Sequence, residues 1–452
     1  MNPSEELTSG RDTHPDHTPL YGGGYIWRMS APTIAPARLR VQRRTLLLLS
    51  LAQVLSGVGT GAVVSTGSLL AVELSGSEAW AGSVTTTMTL GAAIASALLM
   101  RLALARGRRI ALSTGLLVGA AGAAGVVLAA VTGAFWLLVA SGVLIGFGNA
   151  VNLQARFAAT DLSATEHRGR DLSLVVWMST IGAVAGPNLV GVGSELAAGL
   201  GIPALSGLFV ISTAGMLLGM AVIWIGLRPD SYLVLTGREP LSGTEPAAPA
   251  PAARRSGLRQ GIRALWSHPM ARAGPIGILA AHAVMVAVMS MTPVHLTGHG
   301  ASITIVGLTV SLHIAGMYAL APVMGVLTDR LGGRIVATVG MVTLLVAVLL
   351  AGFSSDVHLL TVIGLILLGL GWSAATVAGS AMIVAATPVA ERVTAQGASD
   401  TLMSLAGAVG GLLAGVALAV IGYLGLGAAS AVVILIALAA LTWTARTNRR
   451  TP

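Results

Sequence analysis

The sequence predicts an all-α membrane protein of twelve transmembrane helices in two parallel six-helix repeats, and three observations predict it. The first is composition: of 452 residues, 54% are hydrophobic and 10% charged, whereas a soluble domain carries about 25% charged residues. Together with a mean hydropathy of +0.84, this excludes an ordinary soluble enzyme. The second is the number of apolar runs of roughly 20 residues, the length that crosses a bilayer, which comes to twelve. The third is an internal repeat at a constant offset of 225 residues.

The elements follow in order. Residues 1–43 form a polar tail whose end carries Arg38, Arg40 and Arg43, with Arg44 next at the start of the first bundle. The apolar run after it is too long for a signal-peptide core and lacks a small-residue cleavage site, so the tail is expected to be retained in the cytoplasm. Apolar spans then fall at about 45–72, 79–104, 109–131, 134–158, 170–197 and 203–227, and again at about 271–297, 303–327, 335–354, 358–385, 394–422 and 427–446. The first bundle is expected over 44–227 and the second over 271–446, joined by a linker at 228–270 and closed by a tail at 447–452. In the linker, a Pro/Ala-rich stretch from Glu245 to Pro251 precedes Leu258, Ile262, Leu265 and Trp266, set against Arg255, Arg259 and Arg263. That is the pattern of a short helix lying at the membrane interface.

Charge gives orientation. The 26 basic side chains are all Arg, against 17 acidic ones, for a net charge of +9. They sit in the tails, the linker and the connectors after even-numbered spans; the odd-numbered connectors hold none. By the positive-inside rule both termini of this multi-pass plasma-membrane protein are cytoplasmic. The excess charge is thus an orientation signal and argues against a nucleic-acid partner. Trp80 and Trp136, at the starts of spans two and four, fit an aromatic belt. With no Cys, disulfides, thiolate metal sites and thiol catalysis are excluded. No phosphate-binding loop or catalytic constellation is visible. A secondary transporter is expected, not an enzyme: a monomer in the lipid bilayer, with a small solute or metal ion as partner and no tightly bound cofactor.

The repeat sets Met100, Gly107 and Arg109 over Gly325, Gly332 and Arg334; Gly146-Phe147 over Gly371-Trp372; Glu166 over Glu391; and Gly182 and Gly186 over Gly407 and Gly411. Both copies begin on the same side of the membrane, so they are related by an axis along its normal.

Six plus six spans, a long middle loop and the motif Gly325-x3-Asp329-Arg330-x-Gly332-Gly333-Arg334 resemble the major facilitator superfamily over about residues 44–446. In that family the motif implies a conformational latch on the cytoplasmic face, with Gly325 allowing close helix approach and Asp329, Arg330 and Arg334 pairing across it. The first-half copy departs from the pattern, with Met100 in place of Gly and Leu104 in place of Asp. Span five carries Gly182-x3-Gly186-Pro187-x3-Gly191, similar to the Gly-Pro motif of antiporters in this superfamily. Pro removes a helical hydrogen bond and small residues permit tight packing, so the motif is expected to bend and gate the helix.

Residues that break the repeat are candidates for substrate chemistry. Span seven holds Met285-x3-Met289 and span eight His313-x3-Met317, where the first half has Thr60, Val64, Met88 and Ala92. Spacing of i,i+4 puts each pair on one helix face, and counting 1.5 Å per residue from the outer turn places both pairs near the midplane. Three thioethers and an imidazole make a soft ligand set suited to Cu(I) as a substrate. The pairs resemble the motifs of the CcoA-like copper importers, the CalT branch of the superfamily, which implies copper uptake. Packing stands beside that as the alternative, since Met fills gaps in apolar helices and an intramembrane His can simply bond a neighbouring helix.

A proton-coupled drug exporter is the main competitor, and it needs an intramembrane titratable group. Asp400, about two turns into span eleven, is the candidate, and Glu195 lies near the outer end of span five. For an organic solute, Gln53, Asn149, Asn152, Asn188 and Tyr318 can line a polar cavity. The resembling branch implies a further substrate class, flavins, which need no Met/His pairs.

Overall fold

The computed structural model describes residues 36–62, 66–77, 80, 82–240, 257–267, 269–301, 303–354 and 357–448, with side chains within 58–62, 183–188, 269–271, 303–304 and 444–448 and at 68 left out. Among these the regular elements are all helical. The first half comprises α1 (Pro36–Ala62), α2 (Ser68–Ser75), α3 (Ser83–Arg106), α4 (Arg108–Thr132), α5 (Phe135–Ala158), α6 (Arg168–Asn188), α7 (Val190–Leu200) and α8 (Gly207–Gly226). Two short helices follow, α9 (Ser231–Leu235) and α10 (Leu258–Ser267). The second half comprises α11 (Pro269–Gly298), α12 (Ile303–Tyr318), α13 (Ala321–Leu331), α14 (Gly333–Gly352), α15 (His358–Ala386) and α16 (Val389–Asn448).

Among the described residues, nine helical stretches are long and apolar enough to cross a membrane. The last of them carries two spans, because α16 turns at Gly422, whose φ of 69° favours glycine. The remaining two of the twelve expected spans are the first and the fifth. Span one runs over α1 and α2, with residues 63–65 outside the described ones, and span five breaks between α6 and α7 at Leu189, two residues after Pro187. Large apolar side chains point outward all around the helices. Leu47, Ile225, Leu412 and Val420 are each at least 70% exposed, which suits a lipid surround and would be a liability in water.

Three apolar clusters each draw on one half. Leu49, Leu112, Leu116 and Ile223 form one, Leu70, Val126, Leu138 and Phe209 another, and Met341, Leu344, Leu365, Trp372 and Ile434 belong to the third. Two smaller clusters cross between the halves: Met100, Leu104 and Tyr232 with Val393, and Phe157, Leu172 and Val176 with Ala321, Val377 and Val384. The crossing contacts of α3 with α16 and of α6 with α13 lie toward the arginine-rich ends of those helices. Small residues make them possible. A side chain at Gly397 would run into Met100, and one at Gly325 would run into Ser173 and the Gly169 carbonyl.

The linker carries the expected short helix, α10. The apolar face of α10 is taken by protein: Ala264 and Leu265 are buried with Ile278, Ile383, Ala395 and Ala398, and Gly261 lies against the Thr394 carbonyl. A ten-residue helix with this stripe can satisfy it on a neighbouring helix as well as on lipid, and the sequence pattern alone does not distinguish the two. The Pro/Ala-rich stretch, Arg255 and residues 1–35 lie outside the described residues.

Candidate functional site

Charged residues are buried where the halves meet. At the arginine-rich end Arg108, at the start of α4, donates to both oxygens of Asp161 at 3.1 and 3.2 Å and to Gln396 Oε1 of α16 at 2.5 Å. Ser231 donates to the same aspartate at 3.1 Å. The two charged side chains are 2% and 0% exposed, so the fork geometry and the extra bonds offset a large desolvation cost. Nearby, Asp329 at the end of α13 accepts the backbone N–H groups of Gly169 and Arg170 at 2.8 and 2.9 Å. The expected latch residue therefore caps a helix N-terminus of the other half, where the helix dipole favours a negative charge. Among the described residues its partners are backbone amides and not Arg330 or Arg334, and Gly325 supplies the close approach beside it. In the first-half copy, Met100 fills the space against Gly397 and Arg108 takes over the polar contact across the interface.

Deeper along the same interface lies a cavity of about 60 Å³. Asn149, Asn152 and Ser179 line it from the first half, Tyr318, Trp372 and Thr376 from the second, and Arg156 at its edge. Gln53 donates to Ser179 Oγ at 3.0 Å, and Ser56 donates to Asn152 Oδ1 at 3.3 Å. The second bond orients the Asn152 amide, whose N–H donors remain for the cavity. Arg156 Nη2 bonds Asp400 Oδ1 at 2.6 Å and lies 3.8 Å from the Met403 sulfur. Its guanidinium also stands 4.9 Å from the Phe157 ring centre. The pair is buried, 2% and 0% exposed, yet Arg156 Nε and Asp400 Oδ2 have no partner among the described residues. At 1.5 Å per residue Asp400 lies about 16 Å along α16, which begins at Val389.

The aromatic wall is held from behind. Trp372 Nε1 donates to His282 Nδ1 of α11 at 3.1 Å, which leaves the His282 ring proton on Nε2. Tyr318 meets Trp372 edge to face, with ring centres 5.8 Å apart. On its other side His282 abuts Gly407, where a side chain would collide with the imidazole.

Of the residues expected from sequence, Asn149, Asn152 and Tyr318 line this cavity and Gln53 stands behind it. Gly182 packs on Gly57; the side chains of Gly186, Pro187 and Asn188 lie outside the described residues. Met285, Met289 and Met317 pack into one apolar cluster of the second half. His313 is fully buried, but its Nδ1 bonds the Leu365 carbonyl of α15 at 2.8 Å, and Gly369 of the same helix sits against its backbone. Nε2 has no partner among the described residues. Further out, His295 stacks on Tyr423 with ring centres 4.0 Å apart.

Sequence reasoning missed Arg108, Arg156, His282 and Trp372 as site residues. The signal was available. At the 225-residue offset, Arg108, Arg156 and His282 face Gly333, Ala381 and Gly57, and Asp400 faces Val175. Each breaks the repeat as sharply as the Met/His pairs do.

Comparison with known proteins places these features. The chain matches the profile described as Major Facilitator Superfamily over residues 49–302 and 275–452. It is 37% identical to the uncharacterized MFS-type transporter YdeG of Bacillus subtilis, over 89% of this chain and 92% of the relative. It is 31% identical to the riboflavin transporter RfnT of Brucella anthropi, over 80% and 85%. Among solved structures, the fold is similar to the human organic anion transporter MFSD10, with a TM-score of 0.70 at 15% identity over 88% of this chain and 99% of that one. It is also similar to a bacterial homologue of the iron transporter ferroportin in an outward-facing state, with a TM-score of 0.66 at 17% identity over 90% and 100%.

Proposed function

Because the chain belongs to the major facilitator superfamily and is a transporter, not a catalytic enzyme, we propose that it carries a small organic solute with a planar ring through the cavity between its halves, driven by protons exchanged at Asp400. The observation that carries this reading is the Arg156–Asp400 pair, which joins the halves at the edge of that cavity. Tyr318 and Trp372 offer ring faces and edges to an aromatic solute. Asn149, Asn152 and Arg156 offer donors to its carbonyl or anionic edge. The likeness to a riboflavin transporter supports a flavin-like ring system as the class. A cavity of 60 Å³ is far below the roughly 300 Å³ or more of pockets that enclose small molecules, so a ring solute requires the halves to part. Rocking of α1–α8 against α11–α16 about the cavity supplies this as alternating access. The arginine-rich end is taken as cytoplasmic, in the plasma membrane.

The test is transport by proteoliposomes under an imposed pH gradient, using riboflavin and a panel of aromatic anions. Gradient-driven accumulation of at least one of them, lost in Asp400→Asn, is expected. No accumulation of any ring compound by correctly inserted protein would overturn the proposal.

A second reading, Cu(I) uptake, rests on one observation: three thioethers share a cluster in the half where His313 keeps a buried, unpartnered Nε2. Copper accumulation that survives Met285→Ala/Met289→Ala and His313→Ala unchanged would remove it.

A further inference from the structure

Helix α10 presents two unlike faces. One is fixed to the protein through Ala264 and Leu265 and through Gly261 against Thr394. The other carries Arg259 and Arg263, one turn apart and both exposed. Neither forms an ion pair among the described residues. They border an open cavity of about 730 Å³ that also takes in Gln260, Ser267 and Glu391. Trp266 beside them is 39% exposed, and its carbonyl accepts from Arg272 Nε at 2.7 Å, in the first turn of α11. The helix thus ends beside the arginine-bearing start of a membrane-spanning helix, with a Trp of the kind that settles among headgroups.

We propose that this face of α10 binds the headgroup of an anionic phospholipid in the adjoining leaflet. The chemistry commits to a monoanionic phosphodiester. Two guanidinium forks suit its two free oxygens, Gln260 and Ser267 suit a hydroxylated headgroup, and Glu391 in the same cavity repels a dianionic free phosphate. The site is independent of the transport cavity, yet it bears on the same helix. Residues 394–398 of α16 hold α10 on one side and, through Gln396, Arg108 on the other. A bound headgroup therefore steadies the contact that closes the arginine-rich end.

Native mass spectrometry of the full chain, titrated with phosphatidylglycerol or phosphatidylcholine, tests this. The wild type should retain phosphatidylglycerol preferentially. R259Q/R263Q should weaken that retention about ten- to thirtyfold, and each single substitution about fivefold, with phosphatidylcholine unchanged. R43Q/R44Q removes two other exposed arginines and should leave the preference intact. Equal loss in both double variants, or no loss in R259Q/R263Q and its single variants, would overturn the proposal. Displacement of the lipid by inorganic phosphate would overturn the assignment to a lipid.

Discussion

Arg156 of α5 and Asp400 of α16 meet at 2.6 Å with both side chains out of solvent, so one buried ion pair ties the two halves together beside the cavity. Removing one partner strands the other's charge. Arg156→Ala should cost about 3–5 kcal/mol of stability, whereas Arg156→Met/Asp400→Leu should recover most of it, because an apolar pair avoids the desolvation cost. Thermal unfolding in detergent measures both. A double variant no more stable than Arg156→Ala would mean the pair is not the tie.

Transport should separate from stability at Asp400. Asp400→Asn keeps the shape and a hydrogen bond to Arg156 but cannot exchange a proton. Solute counterflow should persist while uphill accumulation under a pH gradient falls at least tenfold, a difference of about 1.4 kcal/mol in the coupling.

Asp329 is expected to act as a cap. Asp329→Ala leaves the N–H groups of Gly169 and Arg170 without their acceptor and should cost about 1 kcal/mol, while Asp329→Asn keeps an acceptor and should cost less. Thermal unfolding of the two variants in detergent measures the difference. If both lose stability equally, the charge and not the hydrogen bonds makes the contact.

His282 positions Trp372 from outside the cavity. His282→Gln can still accept the indole N–H and should behave nearly as wild type; His282→Ala should raise KM for a ring solute several-fold, with the maximal rate little changed. A fall in rate at constant KM in His282→Ala would assign the histidine to the conformational step.

The closed end can be probed directly, because the chain has no native Cys. Val393→Cys, buried across the interface with Met100 and Tyr232, should react slowly with an impermeant maleimide. Adding Gly397→Leu, which intrudes on Met100, should speed labelling about tenfold by favouring the parted state. Unchanged labelling would show that this contact does not govern closure.

The spans, their order and their repeat were legible because lipid imposes length and apolarity on each helix separately. Asn149, Asn152 and Tyr318 were legible for a related reason: polar side chains inside an apolar run need a partner or a cavity. Arg156 was not, because two residues from the end of α5 it looks like one more arginine of the flanking connector. Only the packing of α16 against α5 draws it inward to Asp400. The face of α10 was legible in part. Its stripe fixes that something apolar covers Leu265 and leaves open whether lipid or α16 does so.

Two joints at the same place in the duplicated architecture have diverged. In the first half Gly182 meets Gly57, backbone on backbone; in the second the same positions are Gly407 and His282. The first joint is tied one turn away, where the Gln53 amide of α1 bonds the Ser179 hydroxyl of α6 at the polar wall of the cavity. The second is keyed at the joint itself, since its imidazole is bonded to the Trp372 ring that faces the cavity. The two copies of one part thus reach the cavity through unlike side chains, an amide on a hydroxyl in the first and an imidazole on an indole in the second.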